Sequence, residues 1–332
     1  MIHDQQSISE IKYFCTLFDS NYLLKGVAML RSLSKHCPEA KIYVLCMDAQ
    51  TQFILEELEL SCVVCLNLTQ IEDKDLLTVK PTRSLAEYCW TLSPSLPWYL
   101  LENYPEIQFI TYLDADLFFY SSPQPIFDEI GDSSIAIIEH RYPPPLKHLE
   151  VRGRFCVEWV GFRRNEQGIR CLKRWREQCL EWCFYRLEES RMGDQKYLDE
   201  WPSNYPELHI IEHLGAGVAP WNYMQYQFAI NDLNSLTVDG FPLIFYHFHQ
   251  FQLLSNGSFD RLSMYYINMA KEPDAVYTKY EDYLTTLLLE VRKISPGFNA
   301  GLKLAVRIKS QRLIQILPQP IKEFLKKFIK AT

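Results

Sequence analysis

One stretch constrains this chain more than any other: Ile107-Gln-Phe-Ile-Thr-Tyr-Leu-Asp-Ala-Asp-Leu-Phe-Phe-Tyr120. Ile107 to Leu113 is an apolar, β-branched and aromatic run with only Gln108 outside that pattern, which predicts a strand buried on both faces. Asp114 and Asp116 interrupt it around Ala115, and the apolar run resumes at Leu117. Two carboxylates at the tip of a hydrophobic strand are costly to bury unless they are paired, hydrogen-bonded or metal-bound. In open α/β sheets, ligands sit beyond the carboxyl ends of the strands. A carboxylate pair there suits a divalent cation that also bridges phosphate oxygens. The plainer alternative is a strand end carrying two solvated acids.

The pattern upstream alternates. Ile11 to Phe18 predicts a first strand, Asp19-Ser20-Asn21 a turn and helix cap, and Leu23 to Leu33 follow a helical period. Lys41 to Met47 predicts a second strand ending at Asp48, Thr51 to Leu60 a short helix, and Cys62 to Leu66 a third strand. Ser84 to Asn103 is helical but broken by Pro94 and Pro97. This alternation implies a mostly parallel sheet covered on both faces. Downstream, Ser134 to Glu139 and Phe155 to Phe162 predict strands, with a loop from Tyr142 to Arg154 between them. Asn165 caps an amphipathic helix whose apolar stripe runs to Cys183 and Leu187. A strand near Leu208 to Glu212, a Gly-rich turn from His213 to Asn222, and a buried strand from Phe241 to Phe248 come next. Beyond about residue 260 the pattern is helical. The expected organisation is one α/β domain, residues 1–260, with a helical extension over 261–332.

The chain has 332 residues, of which 48% are hydrophobic and 23% charged, as in a folded globular protein. Its net charge of −7 argues against general nucleic-acid binding. Residues 301–332 nevertheless carry eight Lys or Arg and one acid, a net of +7, so the first 300 carry −14. That amphipathic basic segment, 301–330, matches a peripheral contact with anionic lipid, or else packing on the domain or another subunit. No signal peptide or membrane-spanning run is evident. The ten cysteines are irregularly spaced, unlike a secreted disulfide framework, so the chain is expected in the cytoplasm.

Several motifs, in order, resemble the GT-A nucleotide-sugar glycosyltransferases. Most nearly they resemble glycosyltransferase family 8, the glycogenin and bacterial lipooligosaccharide galactosyltransferase type. Tyr13-Phe-Cys-Thr-Leu-Phe-Asp19 with Tyr22, Gly26 and Ser32 resembles the family's first strand and helix. Tyr112-Leu-Asp-Ala-Asp116 resembles its metal motif, Gly193-Asp-Gln-Lys196 its Asp-Gln segment, and Phe245-Tyr-His-Phe248 its late His-Phe strand. Together these cover about residues 11 to 250. The resemblance implies a GT-A fold and sugar transfer from a UDP-sugar donor. It further implies retention of configuration, with Mn2+ or Mg2+ as cofactor.

It also implies roles. Asp114 would reach the ribose and the metal, Asp116 would be the firmer metal ligand, and His247 the distal one, with His249 competing. Thr16, Phe18, Asp19 and Tyr22 would hold the base, aided by Asp48, and Ala115 would lie against the nucleotide. Asp194 and Gln195 would sit beside the anomeric carbon. The Gly-rich turn with His213, Trp221 and Asn222 resembles an acceptor-side loop, for a glycan or lipid-linked sugar. Independently of the resemblance, Lys80 and Arg83 precede a predicted helix, a position that suits either contact with the phosphates or donor sugar or plain solvation. Two departures stand out. Cys156-Val-Glu-Trp159 places Glu158 where bacterial relatives tend to read Asn-Val-Gly-Trp, which makes Glu158 a candidate acceptor-side residue, alternative ligand or base and puts the family's usual donor or acceptor in doubt. Ala219-Pro-Trp221 lacks the lysine of a Lys-Pro-Trp triplet, so a phosphate contact would come from elsewhere. A sugar-phosphate nucleotidyltransferase would need a Gly-rich loop after the first strand, but no glycine occurs there before Gly26. A degenerate binding or scaffold module at a membrane is the non-enzymatic alternative.

Overall fold

The computed structural model describes residues 11–262, 266 and 271–305. In its first half run β1 (Lys12–Phe18), α1 (Leu23–His36), β2 (Ala40–Cys46), α2 (Ala49–Glu57) and β3 (Val63–Asn67). The short α3 (Leu68–Ile71) and α4 (Lys74–Val79) lead to the long α5 (Leu85–Asn103), then β4 (Phe109–Leu113) and β5 (Leu117–Phe119). Next come α6 (Gln124–Ile130), β6 (Ile135–Glu139), β7 (Phe155–Arg163), α7 (Glu166–Glu181), α8 (Trp201–Asn204) and β8 (Leu208–Ile211). A small antiparallel sheet of β9 (Phe228–Ile230), β10 (Leu236–Val238) and β11 (Phe241–Pro242) precedes β12 (Phe245–His247) and a long helix, α9 (Asp274–Ile294).

Seven strands form the central sheet in the order β3-β2-β1-β4-β7-β6-β8. Only β7 runs antiparallel to its neighbours. Alternate residues of β1 serve opposite layers, as the two-residue strand period requires. Phe14 and Phe18 enter the core shared with α1 and α9, whereas Cys15 and Leu17 enter the one beneath α5 and α7. Helix α9 buries Val276, Tyr277, Tyr280, Leu284 and Val291 in the first of these cores. The helical extension is therefore built into the α/β unit at its start.

Several local expectations are corrected. Helix α5 runs straight through Pro94 and Pro97. An interior proline costs about 3 kcal/mol, but Tyr88, Leu92, Leu96 and Leu100 bury one face of α5 against the sheet, and that burial prevails. The loop after Tyr142 is instead a run of 3-10 turns over Pro144–Arg152. The strand expected from Phe241 to Phe248 is split after Pro242, which lacks a ladder N–H and ends the small sheet. The stripe of α7 also stops short, for the helix ends at Glu181 and Leu187 is exposed. No helix among the described residues is long and apolar enough to cross a membrane. From residue 306 on, the basic segment lies outside the described residues.

Ser32 links this scaffold to the acidic strand end. Its hydroxyl donates to the Met29 carbonyl and accepts from the Phe119 N–H, each at 3.0 Å, wholly within the core. Ser32→Ala leaves that N–H unpaired and is expected to cost about 1–3 kcal/mol in urea unfolding. An unchanged midpoint would mean that Ser32 does not hold β5.

Candidate active site

The β4–β5 segment ends the sheet in Asp114-Ala115-Asp116, and β12 brings a histidine to it. Antiparallel pairing sets His247 opposite Leu117, and the Phe248 N–H donates to the Asp116 carbonyl at 2.8 Å. His247 Nε2 lies 3.0 Å from Asp116 Oδ1 and 4.0 Å from Asp114 Oδ2. Its other nitrogen, Nδ1, lies 2.6 Å from Glu158 Oε2. The carboxylate of Glu158 can only accept, so Nδ1 carries a proton and Nε2 faces the aspartates.

Glu158 reaches this place through an irregularity in β7. Ile137 pairs with Val160 but Ile138 pairs with Cys156, so residues 157–159 bulge from the β6 ladder. Bulges redirect side chains beside sites. Here the redirected carboxylate is completely buried, with Oε1 lacking a hydrogen-bond partner. A Cβ on Gly217 (φ +66°) would lie 3.1 Å from that oxygen and 2.7 Å from Arg141 Nη2, so glycine leaves both groups room.

The charges are strongly coupled. Burial works against ionised Asp116, but the facing His247 and then Lys25 outweigh it and hold this carboxyl well below the usual range. Burial likewise opposes the His247 imidazolium, yet Asp116, Cys156 and Glu158 raise it well above its ordinary value. Asp114 is pushed up to about 7 by burial, reinforced by Asp116, Asp194 and Glu158 against the pull of His247. Asp194 is also pushed up to about 7, by burial that a Ser93 hydrogen bond only partly offsets. One strand end thus holds a firm anion, an acid titrating near neutrality and an imidazolium bridging Asp116 and Glu158.

This donor set fits a hard divalent cation. Ligands at about 2.1 Å around an octahedral ion lie about 3.0 Å apart in cis and about 4.2 Å in trans. The Nε2 separations of 3.0 and 4.0 Å from Asp116 and Asp114 match those two values. Asp114, Cys156 and His247 also place ligand atoms within 4.8 Å of one another. Burial and the charge of Glu158 push the Cys156 thiol up to about 12, so at neutral pH it is a protonated, soft neighbour beside oxygen ligands.

The other expected residues divide. Thr16 and Phe18 are buried at the end of β1. Asp19 accepts from the Asn21 and Tyr22 N–H groups, and Asp48 accepts from Ser20 N and Thr51 N, tying two strand ends together. Tyr22 is half-exposed, with Lys25 Nζ 4.7 Å from its ring centre. Asp194 is buried within electrostatic range of Asp114, but the Gln195 amide donates to the Arg152 carbonyl. Lys80 is paired with Glu72 at 2.6 Å, and Arg83 donates to Leu180 O and stacks on Phe184, so both are engaged away from the aspartates. His213 Nδ1 accepts from Gly215 N. Trp221 meets His247 and His249 edge-on, at 5.1 and 5.4 Å between centres. Asn222 is fully buried and spends its amide on His140 O, Gly217 O and Ala219 N, so it has no group left for an acceptor hydroxyl. His249 bonds the Tyr266 hydroxyl, and burial beside His247 pushes it down to about 3. Glu158, expected at the acceptor, instead sits behind His247. Lys25, 3.8 Å from Asp116 Oδ2, was missed; only its place one turn beyond Tyr22 hinted at it.

The uncharacterized protein YfnD of Bacillus subtilis (strain 168) is 30% identical over 292 residues, covering 87% of this chain and 94% of YfnD. YfnF of the same organism is 31% identical over 293 residues, covering 86% and 96%. The chain belongs to the family of YfnD and YfnF. No protein-family model matches it. For this member of the YfnD/YfnF family, the fold has solved counterparts in the galactosyltransferase LgtC. A complex of LgtC with donor and acceptor sugar analogs superposes with a TM-score of 0.50 at 13% identity, covering 82% of this chain and 95% of LgtC. An active-site mutant of LgtC gives 0.51 at 12%, with the same coverage. The architecture is that of the GT-A glycosyltransferases.

The electrostatics of the site lead to two expected outcomes. Outer carboxylates that orient a ligating histidine are worth about 10–100-fold in metal affinity, so Glu158→Gln is expected to weaken Mn2+ binding by that factor in a calorimetric titration. The raised acid of Asp194 contributes stability that is complete below about pH 4 and lost as pH rises through about 7. Asp194→Asn, which mimics the neutral acid, is expected to match the wild type at pH 4. At pH 8 it should be more stable, by a few kcal/mol at most at about 1.4 kcal/mol per unit. Parallel urea curves at the two pH values check this.

Proposed function

We propose that this chain is a metal-dependent glycosyltransferase that moves a sugar from a UDP-sugar to a glycan or lipid-linked acceptor with retention of configuration. The observation that carries the reading is the convergence of Asp114, Asp116 and His247 beyond the carboxyl end of β4, with Glu158 fixing the histidine. The ends of β1 and β2, which carry Asp19 and Asp48, lie on the same edge of a GT-A sheet. They would hold the nucleotide base beside those ligands.

A bound divalent cation would neutralise the charge that develops on the leaving diphosphate. Asp116 and His247 would hold that cation, and Asp114 would join them on losing its proton. Glu158 would keep the His247 proton on Nδ1, leaving Nε2 free to ligate. Asp194, buried near Asp114, would face the donor sugar and stabilise positive charge at the anomeric carbon. Gln195 would then act indirectly, by holding the Pro144–Arg152 turns at the rim. Residues 1–260 would form the transferase domain and 261–332 an extension, with the basic stretch over 301–330 available to a membrane carrying a lipid-linked acceptor. A cytoplasmic location suits such a donor.

The test is slow donor hydrolysis, which needs no acceptor, across a panel of nucleotide sugars with Mn2+ or Mg2+. Turnover is expected with UDP-sugars, to stop with EDTA, and to fall about a hundred-fold or more in Asp116→Asn, whose circular dichroism stays native. Cation affinity is expected to rise with pH through about 7 as Asp114 ionises. Undiminished metal-dependent turnover by Asp116→Asn would remove the metal assignment.

A further inference from the structure

Beside the acidic cluster lies a cavity of about 200 Å3 whose lining includes two lysines and no acid. In a chain of net charge −7, that is an unusual local balance. Lys25 comes from the first turn of α1, and its ammonium stands 3.8 Å from Asp116 Oδ2. Lys303 comes from the other end of the chain. It is exposed and forms no ion pair among the described residues. Both lysines line this one cavity, and among the described residues only Lys25 is ion-paired. Like charges held together around a cavity call for an anion between them.

The backbone fixes Lys303 at this spot. Its N–H donates to Leu253 O and its carbonyl accepts from Ser255 N, so residues 253–255 and 303 form a short parallel bridge. Two residues earlier, Gly301 (φ +75°) donates to Asn21 Oδ1 and presses on the turn before α1. A Cβ on Gly301 would fall 2.1 Å from the Asn21 carbonyl, so only glycine permits this approach. The segment 300–303 therefore straps across the start of α1 and puts Lys303 on the lining of the same cavity as Lys25.

We infer that Lys25 and Lys303 form a cradle for the diphosphate of the nucleotide donor, beside the metal ligands. The size fits, since clefts that enclose drug-sized ligands run to roughly 300–1,000 Å3 and this one suits a phosphate group rather than a whole nucleotide sugar. The chemistry also fits: a diphosphate between the two ammonium groups and a cation on Asp114, Asp116 and His247 is neutralised from two sides. Gln250 and Gln252 are on the same lining, and their amide groups are uncharged donors by type. This assignment rests on the glycosyltransferase reading and supplies the phosphate contact that Lys80 and Arg83, engaged elsewhere, do not.

Calorimetric titration of the full chain with UDP and with inorganic pyrophosphate, each with Mg2+, tests the cradle. Lys303→Ala, which breaks no ion pair and should keep the wild-type melting temperature, is expected to weaken both probes about ten-fold. Lys25→Met is expected to do at least as much, and Lys303→Arg to restore most of the loss. The affinity gap between wild type and Lys303→Ala for UDP should narrow as salt is raised, because the lost contact is a screened charge–charge one, and a packing defect would not produce this. Wild-type affinity for pyrophosphate in either lysine variant, or a gap that salt leaves unchanged, overturns the cradle and leaves the transferase reading standing. If the wild type itself binds neither probe with Mg2+ or Mn2+, the transferase reading fails and the cradle with it.

Discussion

A histidine held between two carboxylates organises the carboxyl edge of this sheet. His247 touches Asp116 through one ring nitrogen and Glu158 through the other, and all three are buried. None of the three would be tolerable there alone, because an unpaired charge in a protein interior costs several kcal/mol. Together they set the charge state of the whole edge. Their geometry depends on a register and a bulge: the β5–β12 pairing puts His247 beside Asp116, and the break in β7 turns Glu158 inward. A one-residue slip in β12 would carry the imidazole to the opposite face.

The elements most legible in the sequence were those with strong period and strong ends. Strands β1, β2 and β4 read correctly because their apolar runs are bounded by Asp19, Asp48 and Asp114, polar residues that favour a turn or a helix cap over a further strand residue. The acidic pair and the late histidine also stood out, since charges and imidazoles inside aromatic runs are conspicuous. The illegible features had no local signal. Pro94 and Pro97 announce a helix break, yet α5 persists because its buried face outweighs two prolines. Glu158 looked like a ligand-facing acid because bulges have no signature in composition. Asn222 looked available because nothing in its neighbours reveals that His140 and Gly217 already claim it. Lys303 lies 56 residues beyond His247 in an otherwise helical stretch, and only the fold brings it back.

The two sides of the edge carry opposite electrostatic characters. Asp114, Asp116, Asp194 and Glu158 concentrate negative charge around one imidazole, while Lys25 and Lys303 border a cavity without acids. Lys25 stands on the boundary and touches both. A ligand with a cationic end and an anionic end fits this polarity better than a uniformly charged one. A metal-bound diphosphate has that form, and the arrangement would orient it before any contact with its sugar or base.

The strap that seats Gly301 on Asn21 joins residues 280 positions apart. Contacts this distant in sequence close late, because the loop entropy must be met before they reward it. During synthesis the sheet, the acidic strand end and His247 can all come together while residues 300–303 are still being made. The turn before α1 therefore waits for nearly the whole chain before its last neighbour arrives. The molecule acquires its fold early and its finished edge last, so a chain cut short at residue 299 would keep the architecture and lack the strap.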